Sequence, residues 1–191
     1  MEYFTTRRRW YVVYWYGMSF LTPDHLVKEL YLRAGDRVAD IGCGTGVYTI
    51  ALASQVGSMG QVYAVDIHRE VLHTLAGTLD KRGLLNVEML WADIEQSIPV
   101  DAYSLDAVVV SNILFQLHDV DKALSIIAKI IKPEGQLLVV DWKDSFSGIG
   151  PHTSHVLQEE QTIAVVQAHG FRLRKRLPAG DYHYAFIAVS S

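Results

Sequence analysis

The segment Val38-Ala39-Asp40-Ile41-Gly42-Cys43-Gly44-Thr45-Gly46 constrains this chain more than any other stretch. A short apolar run ends in an acid, glycine then recurs at every second position, and a helical pattern opens at Val47. This predicts a strand entering a tight loop, with a helix N-terminus directly behind it. A Cβ at those glycines would obstruct either the turn or a ligand approaching the backbone.

The spacing separates one ligand class from another. Dinucleotide sites use G-x-G-x-x-G and hold a pyrophosphate at the helix N-terminus. Here the third glycine comes one residue early, and Asp40 stands two residues ahead of the first. An acid at that place suits a ligand with a cationic group better than one presenting phosphates. A dinucleotide site and a purely structural glycine turn remain the other readings of the segment. The pattern D-x-G-x-G-x-G resembles motif I of the class I S-adenosylmethionine (SAM) dependent methyltransferases.

At 191 residues, half hydrophobic and a fifth charged, the chain has the length of one domain with a full core. Its net charge of −4 gives no global sign of a nucleic-acid partner. Cys43 is the only cysteine, which excludes an internal disulfide framework and a cysteine-based metal site and fits a cytoplasmic setting. As a small residue of the glycine loop it reads as a packing residue before a nucleophile.

Residues 1–22 differ from the rest. They hold the triplet Arg7-Arg8-Arg9 followed by the aromatic run from Trp10 to Tyr16. That run is too short to span a bilayer and lacks a cleavage pattern. We expect an N-terminal extension that packs on the domain or over the mouth of its site. A translation-start artefact and a membrane-surface or dimer contact are the alternatives. The domain proper then covers residues 23–191.

From Thr22 the pattern alternates. A helix is expected from Pro23 to about Leu32, strands near 37–41, 61–66 and 86–91, and helices near 47–56 and 69–82, the latter stopped by Gly83. A buried strand covers Leu105–Ser111, and a helix capped by Asp119 or Asp121 runs to Ile131. A turn Lys132-Pro133-Glu134-Gly135 then leads to a strand from Gln136 to Trp142. A helix near 154–169 and two strands, 171–177 and 182–189, complete the chain. Strand–helix alternation implies right-handed parallel crossovers with helices on both faces of one sheet. The final four-residue turn allows only an antiparallel hairpin. The fold class is therefore α/β: a Rossmann-like, seven-stranded, mostly parallel sheet with one antiparallel strand, as the methyltransferase resemblance also implies.

Ligands in such sheets bind beyond the carboxyl ends of the strands. After the first strand, the backbone of Gly42, Cys43, Gly44 and Gly46 would face the methionine carboxylate of SAM, with Asp40 toward its ammonium, through water. After the second, Asp66 can accept from both ribose hydroxyls and Ile67 offers an apolar face to adenine. After the third, Asp93 in Ala92-Asp93-Ile94 can accept from the adenine amine while Ile94 packs on the ring. After the fourth, Ser111 and Asn112 would line the methionine arm and the acceptor pocket. A helix N-cap or solvated acid is the competing reading of Asp93.

The segment 131–141, Gly150-Pro151, Ala168-His169-Gly170-Phe171 and the closing Tyr182-His183-Tyr184 resemble small-molecule methyltransferases of the ubiquinone/menaquinone-biosynthesis type. The pair Pro151-His152 departs from the double proline of many such relatives and leaves acceptor specificity open. The resemblance implies methyl transfer from SAM to a small-molecule acceptor, leaving S-adenosylhomocysteine. Such a reaction chiefly needs alignment and exclusion of water, and a base only where the acceptor loses a proton. His118, Asp141, His152 and His155 are the candidate bases, while Tyr182 and His183 are expected to lie too far along the last hairpin. The pair His152/His155 lacks a third partner for a metal. A SAM- or nucleoside-binding regulatory module and an NAD(P)-dependent oxidoreductase are the rival functions.

Overall fold

The computed structural model describes residues 23–146 and 150–191. The extension expected over residues 1–22, with its lid, membrane and dimer readings, lies outside them. Five parallel strands come first: β1 (Arg37–Ile41), β2 (Gln61–Asp66), β3 (Val87–Trp91), β4 (Leu105–Ser111) and β5 (Ile131–Trp142). The hairpin β6 (Phe171–Leu177) and β7 (His183–Ser190) closes the chain. The helices are α1 (Pro23–Lys28), α2 (Val47–Val56), α3 (Arg69–Arg82), α4 (Val120–Ile130) and α5 (Glu159–Ala168). Sheet order is β3-β2-β1-β4-β5-β7-β6, and β7 runs antiparallel to both its neighbours. The strand order reverses between β1 and β4, which opens a crevice above their carboxyl ends.

Alternation along the strands divides the core in two. Ile41, Val65, Val110, Val139 and Phe186 point to the side covered by α4 and α5. Val38, Val62, Val109, Val140 and Ile187 point to the side covered by α1 and α2, and α3 sits on Ala64 through Leu72, Leu75 and Leu79. α4 presents Ala123, Leu124, Ile127 and Ile130 to the sheet, a 3.6-period stripe. Asp119 starts it, its Oδ1 accepting from the Lys122 amide at 2.8 Å. Gly83 ends α3 in the left-handed conformation, φ 65°, as its place after the last apolar turn requires.

Three boundaries differ from the sequence expectation. α1 stops at Lys28 rather than near Leu32, because Glu29, Leu30 and Tyr31 make tighter i→i−3 bonds and Tyr31 takes φ 49°. The Lys132–Gly135 turn is a bulge within β5. Ile131 already pairs with Leu105, and the ladder resumes at Gln136–Ala107 with Glu134 at φ 61°. The helix expected over 154–169 splits into a 3₁₀ turn, Thr153–His155, and α5, which Gln158 and Gln161 open with reciprocal capping bonds.

Candidate functional site

The glycine loop is built from the strand outward. Gly42 and Cys43 both donate to the Val65 carbonyl (2.8 and 3.0 Å), and Gly46 donates to the Cys43 carbonyl (2.8 Å). Gly42, Gly44 and Gly46 all have positive φ, 69°, 51° and 83°. The three are held for different reasons. A Cβ on Gly42 would lie 2.3 Å from Ile113, and one on Gly46 would lie 2.2 Å from Leu75. A Cβ on Gly44 would meet no protein atom nearer than the Gly42 carbonyl at 3.9 Å. Gly44 therefore faces open space at the crevice. Gly46, the residue before α2, offers no side-chain cap, so the first amides of that helix are left for another acceptor.

Asp40 is fully buried beneath the loop. Its Oδ2 accepts from the Thr49 hydroxyl at 2.6 Å. Burial pushes its carboxyl up to about 6, and the Thr49 hydroxyl and amide offset part of that rise. Its near partner is thus Thr49, on the second turn of α2, a tie that the sequence did not reveal. Cys43 is buried among Ala64, Leu72 and Leu75, and burial raises its thiol far above the range of a nucleophile.

Asp66 links the loop to the end of β2. Its Oδ2 accepts from the Gly44 amide (3.0 Å) and its Oδ1 from the His68 amide (2.9 Å). Ile67 stands beside it 52% exposed, an apolar side chain held at the crevice rim. The indole of Trp91 donates to the Ile67 carbonyl (2.9 Å), and the Arg69 guanidinium lies 3.6 Å over the Trp91 ring. At the end of β3, Ala92 donates to the Asp66 carbonyl (3.2 Å) and Asp93 Oδ1 accepts from the Glu95 amide (2.8 Å). Unlike Ile67, Ile94 is buried, its side chain in the core cluster that holds Val65, Ile98 and Leu114. The apolar alternation that carries Ile94 inward was present in the sequence.

Beyond β4, Ser111 pairs with Val140 and Asn112 takes φ 57°, a left-handed conformation that Asn tolerates. Gln116 donates to the Asn112 carbonyl (2.7 Å), and a 3₁₀ turn over Leu114–Gln116 follows. Asp141, at the end of β5, is buried on the α4/α5 side. Its Oδ1 accepts from the Trp142 amide (2.8 Å), and burial pushes its carboxyl up to about 7 despite the amides of Trp142, Phe115 and Leu114. The other candidate bases are exposed. His118 lies on the loop before α4, and His152 Nδ1 meets Ser154 Oγ at 2.9 Å as a cap of the 3₁₀ turn. His155 sits with its ring centroid 6.4 Å from that of His152. Among the described residues no three His, Cys, Asp or Glu side chains converge to hold a metal.

His183 also departs from expectation. Because β7 is antiparallel to β5, its first residue returns to the crevice end, opposite Trp142. The two rings lie 4.3 Å apart, and burial pushes the imidazole down to about 4. The hairpin length alone carried this signal, since a short turn brings the start of β7 back level with the end of β5 if β7 inserts beside it.

Buried polar atoms without a hydrogen-bond partner are, among the described residues, Tyr48 Oη, Asn112 Oδ1, Asp141 Oδ2 and His183 Nε2. All four lie at the carboxyl end of the sheet or at the start of α2. Native interiors rarely leave such groups unpaired, so this edge is built for a polar guest. The residues present could hold SAM: the uncapped first turn of α2 beside Gly44 for the amino-acid end, Asp66 for ribose hydroxyls and Ile67 for the adenine face. No helix of the described residues is long and apolar enough to cross a membrane.

Comparison with known proteins agrees. Residues 32–173 match the model of a methyltransferase domain family. A ubiquinone/menaquinone biosynthesis C-methyltransferase from Teredinibacter turnerae is 37% identical over 127 residues, 66% of this chain and 51% of that protein. Its counterpart from a Marinomonas species is 32% identical over 127 residues, 66% of this chain and 50% of that protein. The chain thus spans about half the length of the curated relatives it matches. A SAM-dependent methyltransferase from Aquifex aeolicus superposes with a TM-score of 0.83 at 28% identity, covering 90% of this chain and 91% of that one. From its sheet order, its glycine loop and this match, the chain belongs to the methyltransferase domain family, whose cofactor is SAM.

Proposed function

We propose that this chain transfers the methyl group of SAM to a small-molecule acceptor, which approaches over the ends of β4 and β5. The observation that supports this best is the junction of Gly44 and Asp66. Gly44, whose Cβ side is open to the crevice, donates its amide there to a ribose-type acid at 3.0 Å, in front of an uncapped helix. SAM supplies an activated methyl group on a sulfonium, so the protein's task is binding, alignment and exclusion of water. In this reading Gly42, Cys43, Gly44 and Gly46 hold the amino-acid end by their backbone, and Asp40 stiffens the loop through Thr49. Asp66 binds the ribose, while Ile67, Ala92, Asp93 and the backbone of Ile94 enclose adenine. Ser111 and Asn112 border the reacting centre. Residues 23–191 make up the transferase unit and residues 1–22 the extension.

Where the acceptor must lose a proton, Asp141 is the favoured base. It alone of the candidates is buried, its carboxyl sits near neutrality, and its Oδ2 is unpaired. His118, His152 and His155 then serve at the rim. Incubation with methyl-tritiated SAM and a small-molecule extract tests the proposal. Label should pass to a new organic product, with S-adenosylhomocysteine formed in equal amount. Binding of S-adenosylhomocysteine without any transfer would instead support the regulatory-module reading.

A further inference from the structure

His183 stands at the acceptor side of the crevice with no task in cofactor binding. It is 5% exposed, and its Nε2 has no partner. A phenyl ring would fill the same place against Trp142 without leaving a polar atom unpaired, a fault that costs about 1–3 kcal/mol. The imidazole is also held firmly. Trp142 covers it at 4.3 Å with the rings tilted by 42°, and Trp142 is itself pinned from the loop after β5. There Gly150, at φ 86°, packs so closely that a Cβ would lie 2.7 Å from the indole. Phe146 meets Tyr182 edge-on at 4.6 Å, and the Lys143 amide donates to the Tyr182 carbonyl at 2.8 Å. Trp142, Phe146 and Tyr182 thus form one aromatic wall at the start of β7. Beside it the surface dips into a concavity of about 460 Å³, bordered by Lys143, Glu159, Arg176, Asp181, His183 and Tyr184 among others.

We propose that His183 is an acceptor-binding residue, whose Nε2 hydrogen-bonds a hydroxyl or carbonyl of a planar, uncharged methyl acceptor seated against the Trp142–Phe146–Tyr182 wall. Burial first, and the Lys143 ammonium second, push the imidazole down to about 4, so near neutral pH it selects by hydrogen bonding and not by charge. The cations of the concavity are already engaged: Lys143 Nζ donates to the Gly180 carbonyl at 2.9 Å, and Arg176 pairs with Glu159 and Glu160.

The inference rests on the methyl-transfer reading, and the test separates the two. The full chain, labelled with ¹⁵N-histidine and saturated with S-adenosylhomocysteine, is titrated with phenol, the smallest planar ring bearing a hydroxyl, and in parallel with toluene. Phenol should move the His183 Nε2 resonance and toluene should leave it in place. In H183F, which keeps the ring packing, phenol affinity should fall at least about fivefold while S-adenosylhomocysteine affinity stays within about twofold. An Nε2 resonance unmoved by saturating phenol overturns the proposal and assigns that atom to a resident water; this arm needs no variant. Equal losses of phenol and S-adenosylhomocysteine affinity in H183F also overturn it, as a merely structural effect. Failure of the wild-type chain to bind S-adenosylhomocysteine would refute the underlying reading instead.

Discussion

Replacing Gly44 and Gly46 separately by alanine distinguishes a glycine kept for the ligand from one kept for the fold. Both sit at positive φ, which costs a residue with a Cβ about 1–2 kcal/mol. At Gly46 the new methyl would also lie 2.2 Å from Leu75 Cδ1, within a fully buried side chain. Overpacking of that kind adds roughly 1–3 kcal/mol, for a total of about 2–5 kcal/mol. A domain of this size loses roughly 2–4 °C of Tm per kcal/mol, so Gly46→Ala should melt about 4–20 °C lower. At Gly44 the nearest protein atom is 3.9 Å away, leaving the backbone cost alone, roughly 2–8 °C. Its methyl would instead occupy the space assigned to the cofactor. Thermal melts and calorimetric titration with S-adenosylhomocysteine should show Gly44→Ala folded but at least about tenfold weaker in binding. Wild-type affinity in Gly44→Ala would refute the assignment of that space to the ligand. Equal destabilisation in the two variants would refute the steric argument.

Asp66→Ala should cost stability as well as affinity, because the Gly44 and His68 amides would lose their acceptor, at roughly 1–3 kcal/mol. Asp66→Asn keeps an acceptor for only one of those two amides, so it should lose less stability than Asp66→Ala, yet bind S-adenosylhomocysteine at least about tenfold more weakly; unchanged binding would remove the ribose assignment. Asp40 makes stability depend on pH. Its carboxyl rises from 3.8 to about 6 on folding, so its contribution is greatest below about 4 and is lost as pH rises through about 6, about 3 kcal/mol in all. Urea unfolding of Asp40→Asn should therefore show a flatter pH dependence between pH 4 and 7, and an unchanged slope would contradict the buried carboxyl. Asp141→Asn retains an acceptor for the Trp142 amide, so kcat for a proton-losing acceptor should fall by about 10²-fold with KM for SAM unchanged; full activity would rule Asp141 out as base.

The sheet was legible from the sequence because its strands are short apolar runs whose lengths match their ladders, punctuated by glycines that end helices. The glycine loop was equally legible, since a Gly-x-Gly-x-Gly run after a strand has few physical uses. Boundaries decided by local hydrogen bonding were less so. Nothing in Glu29-Leu30-Tyr31 marks a tightened last turn, and the bulge at Lys132–Gly135 depends on β4 lying alongside. The site showed the same division. Asp66 and Ile67 follow from chain position, whereas the Asp40–Thr49 bond needs the turn of α2 to be known. Ile94 faced inward because alternation through the strand end outweighed proximity to the rim. His183 lies nearer the crevice than its hairpin position suggests, because the insertion of β7 between β5 and β6 is a non-local pairing.

The most direct test of the central claim is a calorimetric titration of the purified chain with S-adenosylhomocysteine, run beside NADH. The glycine spacing, the Gly44–Asp66 junction and the unphosphorylated character of the proposed ligand predict micromolar binding of the first and none of the second. Binding of NADH in place of S-adenosylhomocysteine would contradict the account and return the crevice to the dinucleotide sites.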